Sequence, residues 1–178
     1  MTNEQIDLAF KTKRLQLSSL ERYSHYAPVI FLSILPIAFV SIFIIGKLNG
    51  KTSHKEDELI AYMIVTVVGF LLFYWFQYRK LRFKVAQKPV NKQQLLESYK
   101  VVSEQLEWET ISKSNNYIIA VTHPHFTSGS WGERITILFR DDQIMINSIC
   151  DPNKRSSFVS MGTNHRNTNY FLNHLEKL

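Results

Sequence analysis

Two runs of this chain, 27–46 and 59–78, carry no Lys, Arg, His, Asp or Glu across 20 residues each. A helix rises 1.5 Å per residue, so about 20 apolar residues match a bilayer core of roughly 30 Å. Neither run alternates apolar with polar residues, and both exceed the length of a buried strand. As a buried helix pair they would need a far larger soluble domain to cover them. The runs therefore predict two transmembrane helices joined as a hairpin. Pro36, inside the first run, removes a backbone donor and predicts a kink there. Gly69 has no small residue four positions away, so a GxxxG-type seam is absent from the second run. Tyr74, Trp75 and Tyr78, with Tyr23 and Tyr26, suit the membrane–water interface.

Charge orients the hairpin. Segment 1–26 has four Lys/Arg against three acids, loop 47–58 has three against three, and 89–178 has nine against nine. Segment 79–88 alone carries Arg79, Lys80, Arg82, Lys84 and Lys88 with no acid, which accounts for most of the net charge of +6. The positive-inside rule then places that segment and both termini in the cytoplasm, with loop 47–58 on the far side. The first run is not a signal peptide, since a long polar region precedes it and no small-residue cleavage site follows. A single cysteine, Cys150, agrees with a reducing compartment. The domains expected are a cytoplasmic segment 1–26, spans 27–46 and 59–78 around loop 47–58, a basic linker 79–90, and a cytoplasmic domain 91–178.

Segment 3–22 admits two readings. Ile6, Phe10, Leu17 and Leu20 share one face of a helix lying at the interface. Alternatively, 14–18 is a strand that pairs with 81–85, where Leu81, Phe83 and Val85 alternate with Arg82 and Lys84.

The cytoplasmic part reads as α+β. Leu95, Leu96, Tyr99, Val102 and Leu106 recur at helical spacing, with Asn91 as N-cap. Strands are expected over 107–112, 117–122, 134–140 and 143–150, and the short links between them favour antiparallel pairing. Ile135, Ile137 and Phe139 form one face, against Arg134, Thr136 and Arg140 on the other. A final helix over 165–177 is expected to bury a stripe of Phe171, Leu175 and Leu178. The domain expected is an antiparallel four-stranded sheet with two helices on one face.

Few residues suggest chemistry. His123 and His125 could share a metal, but no third ligand accompanies them, and no metal or other cofactor is expected. Ser128-Gly129-Ser130-Trp131-Gly132 departs from the nucleophile-elbow pattern, and no Ser–His–Asp set is legible, so no catalytic residue is assigned. The charge-free spans exclude a proton relay or intramembrane protease dyad within the hairpin. Glycine-rich phosphate loops are absent, and the charge-neutral domain argues against nucleic acid as a partner. Cys150 reads as a partly buried structural thiol. The basic residues Arg79, Lys80, Arg82 and Lys84 fix topology and are candidates for anionic lipid headgroups.

The stretches 131–137 (WGERITI), 148–152 (SICDP) and 162–167 (GTNHRN) resemble a small uncharacterised α/β domain found in bacterial membrane-attached proteins. The resemblance covers about 91–178 and implies a fold and a membrane setting, without an activity. By their chemistry alone, Gly162 suits an unusual backbone conformation, Asn164 a helix cap and Asn167 a loop clamp. Trp131, Glu133 and Arg134 would line one end of a groove. The expectation is a bacterial inner-membrane protein, multi-pass, that presents its domain to a protein partner or to another copy of itself. The alternative is a binding module for anionic lipid or a small ligand, using the basic linker and loop 122–132.

Overall fold

The computed structural model describes residues 1–50, 56–87, 91–124, 129–141, 143–154 and 160–177. Its contacts divide the chain into two compact units, one of 1–25 with 80–178 and one of 26–79.

The second unit is helical. Helix α2 (Ser19–Leu32) enters it and is followed by α3 (Ile34–Leu48), bent from α2 by 41°. Helix α4 (Glu56–Lys80) is one continuous element of 25 residues. The first charge-free run is thus a pair of helices broken at Ser33 rather than one continuous helix. The break falls at Ser33, three residues before Pro36, because the proline ring crowds the carbonyl four residues back, at Leu32. The Ser33 hydroxyl takes up part of the disruption by donating to the Ile30 carbonyl at 2.6 Å. Tyr26 stacks on Tyr74 and Phe39 on Tyr62, at centroid separations of 5.7 and 5.8 Å. Lys47 pairs with Glu56 at 2.8 Å where the two arms meet. These contacts fix an antiparallel arrangement of the arms. Among the described residues one helix, α4, is long and apolar enough by itself to cross a membrane, and none of its apolar stretch is buried.

The first unit is an α+β fold. Its sheet is antiparallel and five-stranded, in the order β1 (Lys84–Val85), β5 (Gln143–Cys150), β4 (Glu133–Arg140), β3 (Tyr117–Val121), β2 (Glu109–Lys113). The expected four strands are present, and the added one is β1, which pairs Lys84 with Ile146 and Val85 with Met145. The alternation over 81–85 reads as a strand, but nothing in it announces a partner 60 positions away. Helices α5 (Lys92–Gln105) and α6 (Thr163–Leu175) cover one sheet face. Leu95, Tyr99, Val102, Phe171 and Leu175 from the helices meet Ile118, Ile135, Ile137, Ile144 and Ile146 from the strands. Burying one such aliphatic or aromatic side chain contributes about 1.5–3 kcal/mol. Trp108 sits between Tyr99 and Phe171, with centroids 6.2 and 6.1 Å away. Asn91 and Gln94 form a reciprocal capping box that starts α5.

The other sheet face is covered as well. Strand register places Arg134, Thr136, Leu138, Met145, Asn147 and Ile149 on it, and all six are buried. The cover comes from the N-terminal segment, which combines both sequence readings. Helix α1 (Asn3–Thr12) buries Ile6 and Ala9, and a left-handed Lys13 ends it. The chain then extends, so that Arg14 bridges antiparallel to Arg82, Leu15 donates to the Leu81 carbonyl at 2.8 Å, and Phe83 donates to the Lys13 carbonyl at 2.9 Å. Leu15, Leu17, Leu81 and Phe83 are buried there.

Candidate functional site

The basic segment is built into the fold. Asn147, pointing away from α5 and α6, donates from Nδ2 to the carbonyls of Lys80 and Arg82, at 2.8 and 2.9 Å. Ala86 donates to the Ile144 carbonyl at 2.9 Å. Bonded to the N-terminal segment at 81–83 and to β5 at 84–86, the backbone of 80–86 is held in the fold rather than being a loose linker. Its side chains consequently alternate: Leu81 and Phe83 are buried, while Arg82 is exposed. Lys84 reaches α6, donating to Oδ1 of Asn169 at 2.5 Å and lying 3.3 Å from Nδ1 of His165. Burial pushes the Lys84 ammonium below the usual lysine range. In the helical unit, the Arg79 guanidinium lies over the Trp75 ring, 4.7 Å from its centroid.

A second polar cluster closes the opposite end of β4. Glu133 is 1% exposed, and each carboxylate oxygen accepts one hydroxyl, from Thr122 and from Ser130, both at 2.5 Å. The Glu133 amide donates back to the Thr122 hydroxyl at 2.9 Å. Gly132 permits this closure. Its φ is +114°, and a Cβ there would stand 2.4 Å from the Thr122 carbonyl oxygen. Register places Cys150 opposite Glu133. Burial raises the Cys150 thiol above the usual range and the Glu133 charge adds to the shift, while Lys80 and Asn164 oppose it. A carboxylate shut from solvent and held by two hydroxyls makes this end of β4 a structural lock.

The helix α6 is hooked to this end. Ser148 donates to Oδ1 of Asn164 at 2.9 Å, and Asn167 donates to the Ser148 hydroxyl at 3.4 Å. Asn164 therefore holds helix to sheet instead of capping the helix, and Gly162 at φ 87° occupies the cap position. Asn167 is buried and donates to β5 through the Ser148 hydroxyl. Trp131 is half exposed beside the Glu133 lock. His123 is exposed and lies 3.4 Å from Glu109. His125 lies outside the described residues. Among the described residues, no three His, Cys, Asp or Glu side chains are placed to share a metal ion.

The structure thus joins Lys84 with His165, a pairing that spacing does not announce across 81 positions. Sequence reasoning also missed Asn169, Asn147 and Glu21. Glu21 had a legible signal, since Ser18-Ser19-Leu20-Glu21 fits the capping-box pattern. The box forms, with Ser18 N donating to Glu21 at 2.8 Å and Glu21 N donating to Ser18 Oγ at 3.4 Å.

The class defined by these elements is α+β, with an antiparallel sheet covered on both faces. No family model matches the chain, and no similar curated protein or solved structure is found.

Proposed function

We propose that this chain is a membrane-anchored accessory protein that presents its α+β domain to a protein partner at a bacterial inner membrane. The observation that carries the reading is α4, an unbroken apolar helix none of whose apolar stretch is buried. In this reading the α2–α3 pair makes the second, bent crossing, antiparallel to α4 through the Tyr26–Tyr74 and Phe39–Tyr62 stacks. Both termini then face the cytoplasm, as the excess of Lys and Arg after α4 favours. The burial of Glu133, with both oxygens held by hydroxyls, favours an interaction role over catalysis.

Topology tests the anchoring. In a Cys150→Ala background, Asn49→Cys should react with a membrane-impermeant maleimide added outside intact cells. Lys100→Cys should react only after the cells are opened. Equal labelling of both in intact cells, or recovery of the chain in the soluble fraction, overturns the reading. For the partner, mild-detergent purification from the native host followed by mass spectrometry should return one protein in stoichiometric amount.

A further inference from the structure

Lys84, His165 and Asn169 form a group that is short of a hydrogen-bond acceptor. Nζ of Lys84 donates to Oδ1 of Asn169, Nδ1 of His165 faces the same Nζ at 3.3 Å, and Nε2 of His165 faces Nδ2 of Asn169 at 2.6 Å. An ammonium and an amide NH2 only donate, and a neutral imidazole accepts on one nitrogen while donating from the other. The two ring contacts therefore cannot both be hydrogen bonds in either tautomer. Turning the Asn169 amide over sets its NH2 against the ammonium instead. An acceptor from outside relieves this excess of donors.

The surroundings are cationic. Arg14 stands directly opposite Arg82 in an antiparallel bridge, which sets two like charges on one face. Arg82 is two residues from Lys84 along the same extended segment and shares its side of the strand, opposite Leu81 and Phe83. Among the described residues, no carboxylate pairs with Arg82, Lys84 or His165. The acid on this flank of α6, Glu176, accepts from the Gln87 amide at 3.2 Å, a full 11 residues beyond His165. Lys84 follows the end of α4 by four residues. A phosphate group supplies several acceptor oxygens and negative charge, and is what two cations, an imidazole and an amide would recognise.

We propose that Arg82, Lys84, His165 and Asn169 form a site for the phosphate of an anionic membrane lipid. The source of the phosphate rests on the membrane-anchored reading above; the donor chemistry does not.

The test uses the full chain purified in a neutral detergent and titrated with phosphatidylglycerol, phosphatidylcholine or inorganic phosphate, with bound ligand counted by native mass spectrometry. Phosphatidylglycerol should bind, and Lys84→Gln and Asn169→Ala should each weaken it about fivefold or more. Lys100→Gln removes the same charge from the exposed face of α5 and should change binding less than about twofold. Asn169→Ala decides the matter because it alters no charge, and His165→Ala at an exposed position serves the same purpose should the first variant misfold. Binding that ignores both variants while falling alike in Lys84→Gln and Lys100→Gln is diffuse attraction and overturns the site. Equal binding of phosphatidylcholine also overturns it. Displacement of the lipid by equimolar inorganic phosphate overturns the lipid as the source. Loss of this site in a protein that still resists carbonate extraction from membranes fails the present inference alone, whereas a soluble chain fails the anchoring.

Discussion

The carboxylate of Glu21, in the first turn of α2, forms an ion pair with the guanidinium of Arg134 on β4. The two side chains are 21% and 8% exposed, so the pair sits at the edge of the covered sheet face. One Glu21 oxygen serves Arg134 and the other the Ser18 amide, which couples the capping of α2 to the sheet. Removing Glu21 leaves the guanidinium buried without its partner, whereas replacing both residues removes the desolvation cost together with the attraction. Glu21→Ala should therefore destabilise the α+β unit by about 3 kcal/mol, and Glu21→Leu with Arg134→Met should recover much of that loss. Urea unfolding followed by the fluorescence of buried Trp108 would measure it. Simple additivity of the two single substitutions would refute the coupling.

The same pair gives a pH dependence. Burial raises the Glu21 pKa, but hydrogen bonds from Ser18 and the charge of Arg134 outweigh it, and the net position is below the usual carboxylate value. A group with a depressed folded pKa contributes stability that is present above its unfolded value and is lost as pH falls through the folded one. Stability should thus decline as pH drops below about 4.3. Glu21→Gln should flatten that part of the profile, and an unchanged slope in the variant would exclude Glu21 as a source.

Much of the helix-bearing face was legible because its signals are local. Alternation at Ile135, Ile137 and Phe139, helical spacing from Leu95 to Val102, and the Asn91 cap each lie within a few residues. The second face was not legible, because Arg134, Thr136 and Asn147 read as solvent-facing polar residues. Their burial depends on partners that only the fold supplies: Glu21 for Arg134, and the carbonyls of Lys80 and Arg82 for Asn147. The same reason hid the pairing of 84–85 with β5, although the alternation over 81–85 was visible. At the candidate site the basic residues were visible, but not which of them meets α6.

Asn147 tests whether the basic segment is held as a strand. Asn147→Ala removes both side-chain bonds to the segment, leaving two carbonyls to find other donors at a cost of about 1–3 kcal/mol. Amide exchange over 81–86 should accelerate more than exchange over β3 and β4, read by mass spectrometry of the intact chain in detergent. Uniform acceleration across the sheet would mean that Asn147 contributes only to global stability.

Gly132 and Gly69 should respond oppositely to alanine. At Gly132 the positive φ and the Thr122 carbonyl both oppose a Cβ, so Gly132→Ala should cost more than about 2 kcal/mol. Gly69 lies inside α4, where nothing is within 4 Å of a Cβ. Gly69→Ala should be neutral or stabilising by up to about 1 kcal/mol, since alanine is the better helix former. Thermal unfolding of both variants decides, and a tolerated Gly132→Ala would refute the close approach that shuts the Glu133 lock.

Cys150 reports on the charges around the lock. Burial and Glu133 raise its pKa while Lys80 lowers it, so the thiol should alkylate with an apparent pKa above the free value of about 8.5. Lys80→Gln removes the opposing charge and should move the iodoacetamide rate profile to still higher pH. A profile that stays in place would show that Lys80 exerts no field at Cys150. A profile that falls to the free-thiol value would show instead that the variant has opened the end of β5, which loss of protection in amide exchange over 143–150 would report independently.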